Sequence, residues 1–581
     1  MNSVLKYLLE YRKESILAPV FKLFEACFDL LVPIVVAMMI DYGVAQGDRG
    51  RIYSSLALLV GLAVVGLAMA VTAQYYAAKA ATGFASKLRR VAFSRIQRLS
   101  FAQIDRFGPD SLATRLTSDI NQIQTGVNLV LRLFMRSPII VFGATIMAFV
   151  VDAKAALVFL AALPVLAIIV FAILLVSLPL YTERQRRLDA IALAARENLV
   201  GARVIRAFNM ESEETRRFEG LTSALMALER RAGALAGLMN PATYLVVNLA
   251  IVGVIASGAA RVQIGAATQG ETVALIGYMT QILIELIKLA NLIVQTNKAF
   301  ACVKRVAEII EEPDGMTDGT FDLPIQRLSG TPAVSFQNVS FAYPGASGRS
   351  LEGITFDAAV GQTIGIIGGT GSGKTTLANL IPRFYDPSAG KVLVFGRDVR
   401  EYRLKELRKA TGIAPQKAEL FSGTIASNLR WGSENATDEE LDYALEIAQA
   451  KDFVDAKPGR LNSVVEQNGR NLSGGQRQRL TIARALVKKP SILILDDSSS
   501  ALDYATNAKL GAALKETSPE DRVTFIVAQR AASVLDADLI LVLDVGRLVG
   551  KGTHEELLRE NRVYQEIYYS QFPKEGKGGR A

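Results

Sequence analysis

At 581 residues the chain exceeds what one hydrophobic core organises, so two or more domains are expected. Half of its residues are apolar, and the excess sits almost wholly in first-half runs too long for a soluble surface. The excess positive charge (+9 net) flanks those runs, as at Lys87, Arg89, Arg90, Arg95 and Arg98. That is the positive-inside asymmetry of a membrane protein and argues against a nucleic-acid binder; the two distant cysteines, Cys27 and Cys302, offer neither a disulfide framework nor a metal site.

The opening residues set Val4, Leu5, Leu8 and Leu9 against Lys6, Glu10, Arg12 and Lys13. They read as an amphipathic helix in the membrane interface, not as a cleaved signal. Six stretches then match a hydrocarbon core of ~30 Å. They are Ser15–Tyr42, Tyr53–Tyr75, Leu133–Val151, Ala155–Leu180, Leu235–Ala260 and Val273–Val294. Two long charged segments, Tyr76–Arg132 and Tyr181–Ala234, keep helical periodicity and read as membrane helices continued into the cytoplasm. Each carries a turn, at Arg106–Ser111 and near Leu199–Glu211. Such a tip is either a contact point below the membrane or a plain exposed loop.

Lys22, Glu25 and Asp29 fall in the first stretch and Glu285 and Lys288 in the sixth. A charge at the bilayer centre costs ~2.5–3.5 kcal/mol, so these side chains are expected to face the bundle or a wet cavity. The i, i+3 spacings Lys22/Glu25 and Glu285/Lys288 permit internal ion pairs; the alternative is a polar patch on a path for cargo. Phe142, Tyr244, Tyr278 and Met279 suit amphipathic cargo, though any membrane bundle has such residues.

A Pro-, Gly- and Asp-rich linker, Glu311–Pro332, ends the apolar half. Strand and helix patterns alternate from there to about Phe572, as in an α/β domain. The expected organisation is an all-α, six-helix transmembrane domain at 1–325, an α/β nucleotide-binding domain at 333–572, and a disordered tail at 573–581.

Within the α/β half, Gly368, Gly369, Thr370, Gly371, Ser372, Gly373, Lys374, Thr375 and Thr376 follow the apolar strand "TIGIIG" and fit G-x-x-x-x-G-K-[ST]. Glycines let backbone N–H groups curl around phosphate oxygens, Lys374 supplies charge to the β/γ-phosphates, and the Thr375 hydroxyl reaches Mg²⁺. "SILILDD" is a buried strand that delivers Asp496 to the metal and Asp497 to the attacking water. Between these motifs, Ser473, Gly474, Gly475 and Gln476 open a basic helix, a second anion site at a helix N-terminus. Two γ-phosphate sites in one domain point to a dimer in which this turn closes over the partner's nucleotide.

These motifs, with Gln416 in "IAPQ" and the loop Ser500–Asp503, closely resemble the nucleotide-binding domain of ATP-binding cassette transporters. The upstream half resembles the six-helix exporter module of the same family. The resemblance implies ATP and Mg²⁺ as ligands and a multi-pass protein of the cell membrane with its nucleotide-binding domain in the cytoplasm. It implies that Tyr343 stacks on adenine, Gln416 meets Mg²⁺, and Asp503 closes a loop at the dimer interface. The two helical tips correspond to coupling helices.

The chain departs from the family at two positions. "LDDSSSALD" puts Asp497 where the family has Glu, and "FIVAQRAAS" puts Gln529 where it has His. The only histidine, His554, reads as a plain surface residue. Asp reaches roughly 1–1.5 Å less than Glu, and a misplacement near 1 Å can cost ~10²-fold. Gln529 hydrogen-bonds but carries no proton charge. The expectation is a site that binds ATP and turns over slowly, in one half of a heterodimeric exporter of amphipathic small molecules, lipids or peptides. The intact LSGGQ then serves the partner's site. A homodimeric exporter or flippase with slow symmetric sites, and an ATP-gated channel or regulator, are the alternatives.

Overall fold

The structure is a computed structural model that describes residues 2–322, 330–346, 348–517 and 522–572. The tail at 573–581 and linker residues 323–329 lie outside the described residues. Contacts divide the chain into two compact units, Met1–Gln97 with Pro109–Glu312, and Arg98–Gly108 with Pro313–Ala581.

The first unit carries six helical spans, Ser3–Val44, Arg49–Ile96, Pro109–Val151, Leu157–Val200, Glu211–Gln263 and Gln269–Glu311. The second span has 48 residues. At ~1.5 Å per residue it is roughly 72 Å long, more than twice what a bilayer core requires. Its buried face, Ala73, Ala77, Ala80, Phe84, Leu88 and Ala92, repeats every three or four positions. Those small residues let neighbouring helices approach closely. Phe84 and Leu88 share a core with Ile120, Ile123, Val303 and Val306. Val4 is fully buried in that core, so the opening segment turns an apolar residue to the protein and not to lipid, while Leu9 stays exposed. Tyr278 and Met279 are also core residues, buried with Ala144, Phe159 and Val254. The Tyr278 hydroxyl donates to the Leu30 carbonyl at 2.7 Å.

The charged residues that the sequence places in the first and sixth stretches are paired. Lys22 lies 2.5 Å from Glu25, and Lys288 lies 2.8 Å from Glu285. Arg136, on the third span, joins them: its guanidinium lies 2.8 Å from Asp29, 3.0 Å from Glu285 and 3.7 Å from Glu25. Ser137 donates to the other Glu285 oxygen at 2.8 Å. Three cations thus balance three carboxylates across the first, third and sixth spans. Breaking a buried pair by removing one partner costs about 3–5 kcal/mol. Arg136→Met is therefore expected to lower the melting midpoint of the detergent-solubilised protein, and adding Glu285→Gln to restore part of it. An unchanged midpoint would show that water already solvates the cluster.

Between the fourth and fifth spans the helix Ala202–Ala207 forms a tip. Asn209 turns the chain at φ 52, and Leu199, Val200 and Phe208 are 80%, 84% and 73% exposed. The corresponding tip of the first hairpin, Phe101–Phe107, packs within the second unit. Phe101 lies 4.5 Å from the Phe384 ring, and the Tyr385 hydroxyl donates to Asp105 at 2.7 Å.

The second unit is α/β. Its strands are β1 (Val334–Phe341), β2 (Leu351–Ala358), β3 (Thr363–Gly368), β4 (Ala389–Val394), β5 (Arg397–Asp398), β6 (Thr411–Ala414), β7 (Gly423–Thr424), β8 (Val464–Val465), β9 (Ile492–Asp496), β10 (Val523–Ala528), β11 (Leu539–Asp544) and β12 (Arg547–Gly552). One sheet runs β2-β1-β4-β5 and the larger β12-β11-β3-β10-β9-β6, with a small β7-β8 pair. In the larger sheet every neighbouring pair is parallel except β11 with the edge strand β12. Parallel strands covered on both faces need continuous apolar runs, which is why "TIGIIG" and "ILILD" are almost wholly buried. Each fully buried Ile or Leu contributes about 1.5–3 kcal/mol.

Candidate nucleotide site

Four adjacent parallel strands, β3, β10, β9 and β6, end on one edge of the larger sheet. The carboxyl edge of such a sheet is where α/β proteins bind ligands. β3 runs into the glycine-rich loop, β9 ends at Asp496, Gln529 follows β10, and Gln416 lies two residues beyond β6. Residues far apart in sequence, from Tyr343 to Gly546, are thereby brought to one cavity of about 500 Å³. Its walls include Tyr343, every residue from Thr370 to Thr376, Gln416, Asp496, Asp497 and Gln529.

The loop geometry depends on glycine at two positions. Gly371 has φ 79 and Gly373 φ 96, the left-handed region that L side chains rarely adopt. A Cβ at Gly373 would stand 2.6 Å from the Ser350 carbonyl oxygen. Gly368 and Gly369 lie behind the cavity and accept from the Lys374 ammonium at 2.8 and 2.7 Å. Burial pulls the Lys374 ammonium below its ordinary value, opposed by the charges of Asp497 and Asp496. The Tyr343 hydroxyl lies 3.1 Å from Thr376 Oγ1, and its ring meets Tyr385 edge-on at 5.2 Å.

The Thr375 hydroxyl donates to Asp496 Oδ1 at 3.0 Å. Burial pushes the Asp496 carboxyl above its ordinary value, opposed by that hydrogen bond. Asp497 has φ 46, a conformation that Asp tolerates better than most residues. Its N–H donates to Val527 at 2.9 Å, and its carbonyl accepts from the Ser500 hydroxyl at 2.8 Å. Its Oδ2 accepts two amides at once, Gln416 Nε2 at 3.3 Å and Gln529 Nε2 at 3.1 Å. Burial pushes this carboxyl up too, opposed by the Gln416 hydrogen bond and the Lys374 charge. The two departures from the family pattern are thus direct neighbours.

Ser473, Gly474, Gly475, Gln476 and Asp503 do not line this cavity. Ser473 begins the helix Gly474–Val487 with a reciprocal cap, accepting from Gln476 N and donating its own N–H to Gln476 Oε1. Asp503 caps the helix Tyr504–Glu516, accepting from Thr506 N and Oγ1 at 2.8 Å each. Those bonds hold its carboxyl below the usual range. His554 is half-buried, not a plain surface residue: Nδ1 lies 2.7 Å from the Tyr564 hydroxyl, and the ring packs on Tyr564 and Tyr568. It takes no part in the cavity walls. Ser350, Val545 and Gly546 line the cavity without any sequence signal, because their loops are placed by tertiary packing alone.

Two family models match the chain: ABC transporter transmembrane region over residues 15–286, and ABC transporter over 351–500. Over 577 residues the chain is 36% identical to an "Uncharacterized ABC transporter ATP-binding protein YfiB" of Bacillus subtilis, with 99% of each chain covered. The chain belongs to the ABC transporter family. This transporter is also 30% identical over 575 residues to an ATP-dependent lipid A-core flippase of Chromobacterium violaceum, covering 98% and 97% of the two chains. A solved structure of a bacterial Atm1-family ABC exporter with ATP bound matches it at a TM-score of 0.78 and 26% identity, over 98% and 99% of the two chains. The transporter is therefore a multi-pass membrane protein of exporter fold. Its cytoplasmic ATP-binding domain is an ATPase coupled to export.

Proposed function

We propose that this transporter is one half of a heterodimeric exporter, moving amphipathic small molecules, lipids or peptides. In this reading its own cavity binds ATP and hydrolyses it slowly, while its signature turn completes the partner's site. The observation that carries the reading is the Asp497 carboxylate, tied to the amides of Gln416 and Gln529. Neither amide exchanges a proton or carries positive charge. A carboxylate one methylene short, with no imidazole beside it, is a poor base for water.

ATP binding rests on groups that are all present. The loop Gly368–Thr376 and Lys374 hold the phosphates, and Tyr343 stacks on the base. Mg²⁺ fits the remaining donors: the Thr375 hydroxyl, the Asp496 carboxylate and the Gln416 side-chain oxygen are all hard oxygens. The rest of its shell would be waters and phosphate oxygens. When bound, Mg²⁺ neutralises charge on the β- and γ-phosphates.

Support for a partner comes from what one chain leaves uncovered. The tip residues Leu199, Val200 and Phe208 are exposed, and Ser473, Gly474, Gly475, Gln476 and Asp503 stand outside the cavity. In the proposed dimer the latter group faces the partner's nucleotide. The test is the fate of the terminal phosphate. The two-chain complex is incubated with 8-azido-ATP labelled at either the α- or the γ-phosphate and then crosslinked by light. This chain is expected to retain both labels and its partner only the α-label. Equal loss of the γ-label from both chains would favour symmetric sites.

A further inference from the structure

A second cavity, of about 450 Å³, lies between the first and second spans. Drug-sized ligands occupy cavities of roughly this size. Most of its wall is apolar, with Phe28, Val32 and Leu62 among the lining residues; Glu25, Asp29 and Arg136 supply the charge. The three carboxylates around Arg136 differ in what they leave unused. The Glu285 and Glu25 side chains are 3% and 11% exposed, and each accepts from or pairs with groups on both oxygens. The Asp29 side chain is 39% exposed. Only its Oδ2 is engaged, by Arg136; among the described residues Oδ1 accepts no hydrogen bond. A carboxylate oxygen facing an apolar cavity within a membrane helix lacks solvation that lipid chains cannot supply.

We propose that this cavity binds a lipophilic monovalent cation, an amine or onium group on an apolar body, with Asp29 Oδ1 as its counter-charge. The proposal rests on the exporter reading and names the chemical class of its cargo. The cluster as a whole is neutral, Lys22 answering Glu25 and Lys288 answering Glu285, so what favours a cation is the Asp29 oxygen that Arg136 leaves open on the cavity wall. An anion has no purchase, because Arg136 is already bracketed by Glu25, Asp29 and Glu285. Phe28 is on the wall, and an aromatic ring attracts an onium group. Gly66 leaves the space open: no atom stands within 4 Å of where its Cβ would be.

The test uses two ions of the same shape and opposite charge, tetraphenylphosphonium and tetraphenylborate. Binding to the two-chain complex in lipid nanodiscs is measured without nucleotide, with empty nanodiscs subtracted. Saturable binding of tetraphenylphosphonium is expected, at least about tenfold tighter than that of tetraphenylborate. Asp29→Asn is expected to remove that preference and Asp29→Glu to keep it. Gly66→Leu, which fills the cavity and leaves every charge in place, is expected to weaken tetraphenylphosphonium about tenfold or more. If Asp29→Asn fails to assemble, Gly66→Leu decides. Equal binding of the two ions, no saturable tetraphenylphosphonium binding, or binding indifferent to Asp29→Asn and Gly66→Leu overturns the proposal. ATP turnover of the same complex is read separately. A complex that hydrolyses ATP but ignores the cation refutes this site and leaves the exporter reading standing; a complex without turnover refutes that reading, while the binding result still decides the site.

Discussion

Gly475→Asp is expected to remove most ATP turnover of the two-chain complex, by about 10²–10³-fold, whereas Asp497→Asn is expected to change it only a few-fold. Gly475 is the second residue of the helix Gly474–Val487, whose first N–H groups have no partner one turn back. Ser473 and Gln476 satisfy each other's N–H groups, which leaves those of Gly474 and Gly475 for an anion. A carboxylate at 475 stabilises the helix N-terminus by about 0.3–1 kcal/mol and repels a phosphate there. Its Cβ fits without collapse, since the nearest atom, the Ala501 carbonyl oxygen, is at 3.0 Å and only tight. The variant is therefore expected to fold and fail in turnover. Asp497→Asn removes charge from a carboxylate that, in this account, already contributes little. Steady-state phosphate release by both variant complexes reads the difference. If Asp497→Asn is the more damaging change, the two sites are assigned the wrong way round.

Asp497→Glu combined with Gln529→His is expected to raise hydrolysis at this chain's site by about 10–10²-fold. The longer carboxylate regains reach, and the imidazole replaces an amide 3.1 Å from it. One cost opposes the gain. Position 497 has φ 46, and Glu is less at ease there than Asp, by something below the ~1–2 kcal/mol general penalty of that region. Transport is expected to stay level or fall while ATP consumption rises, because a slowly cleared ATP holds the two nucleotide-binding domains together between cycles. Flux and phosphate release measured together in proteoliposomes test both halves. Unchanged γ-phosphate loss at this site, in a complex that binds ATP normally, would remove Asp497 and Gln529 as the cause of slow turnover.

The spans and the strands carrying the motifs were legible in the sequence because both are predominantly apolar runs that end at charged or turn-forming residues. "SILILDD" has one sensible end for its carboxylates, and "TIGIIG" one place for the loop. What sequence could not supply is the pairing of distant residues. Arg136 sits among apolar neighbours, and nothing in its spacing reveals Asp29, Glu25 and Glu285 on two other helices. Tyr278 and Met279 look the same in sequence whether they face cargo or core; burial decides for the core. His554 looked like a surface residue because its partners, Tyr564 and Tyr568, lie on the following helix. Gln416 and Gln529 were each visible as motif residues. That both amides meet one oxygen of Asp497 follows only from the β10-β9-β6 strand order.

The most direct test of the account is ATP turnover by the purified chain alone and in complex with its partner, at saturating Mg²⁺ and ATP. The account predicts that the lone chain binds ATP yet hydrolyses it at least about 10²-fold more slowly than the complex. Equal, vigorous turnover by the lone chain would contradict it.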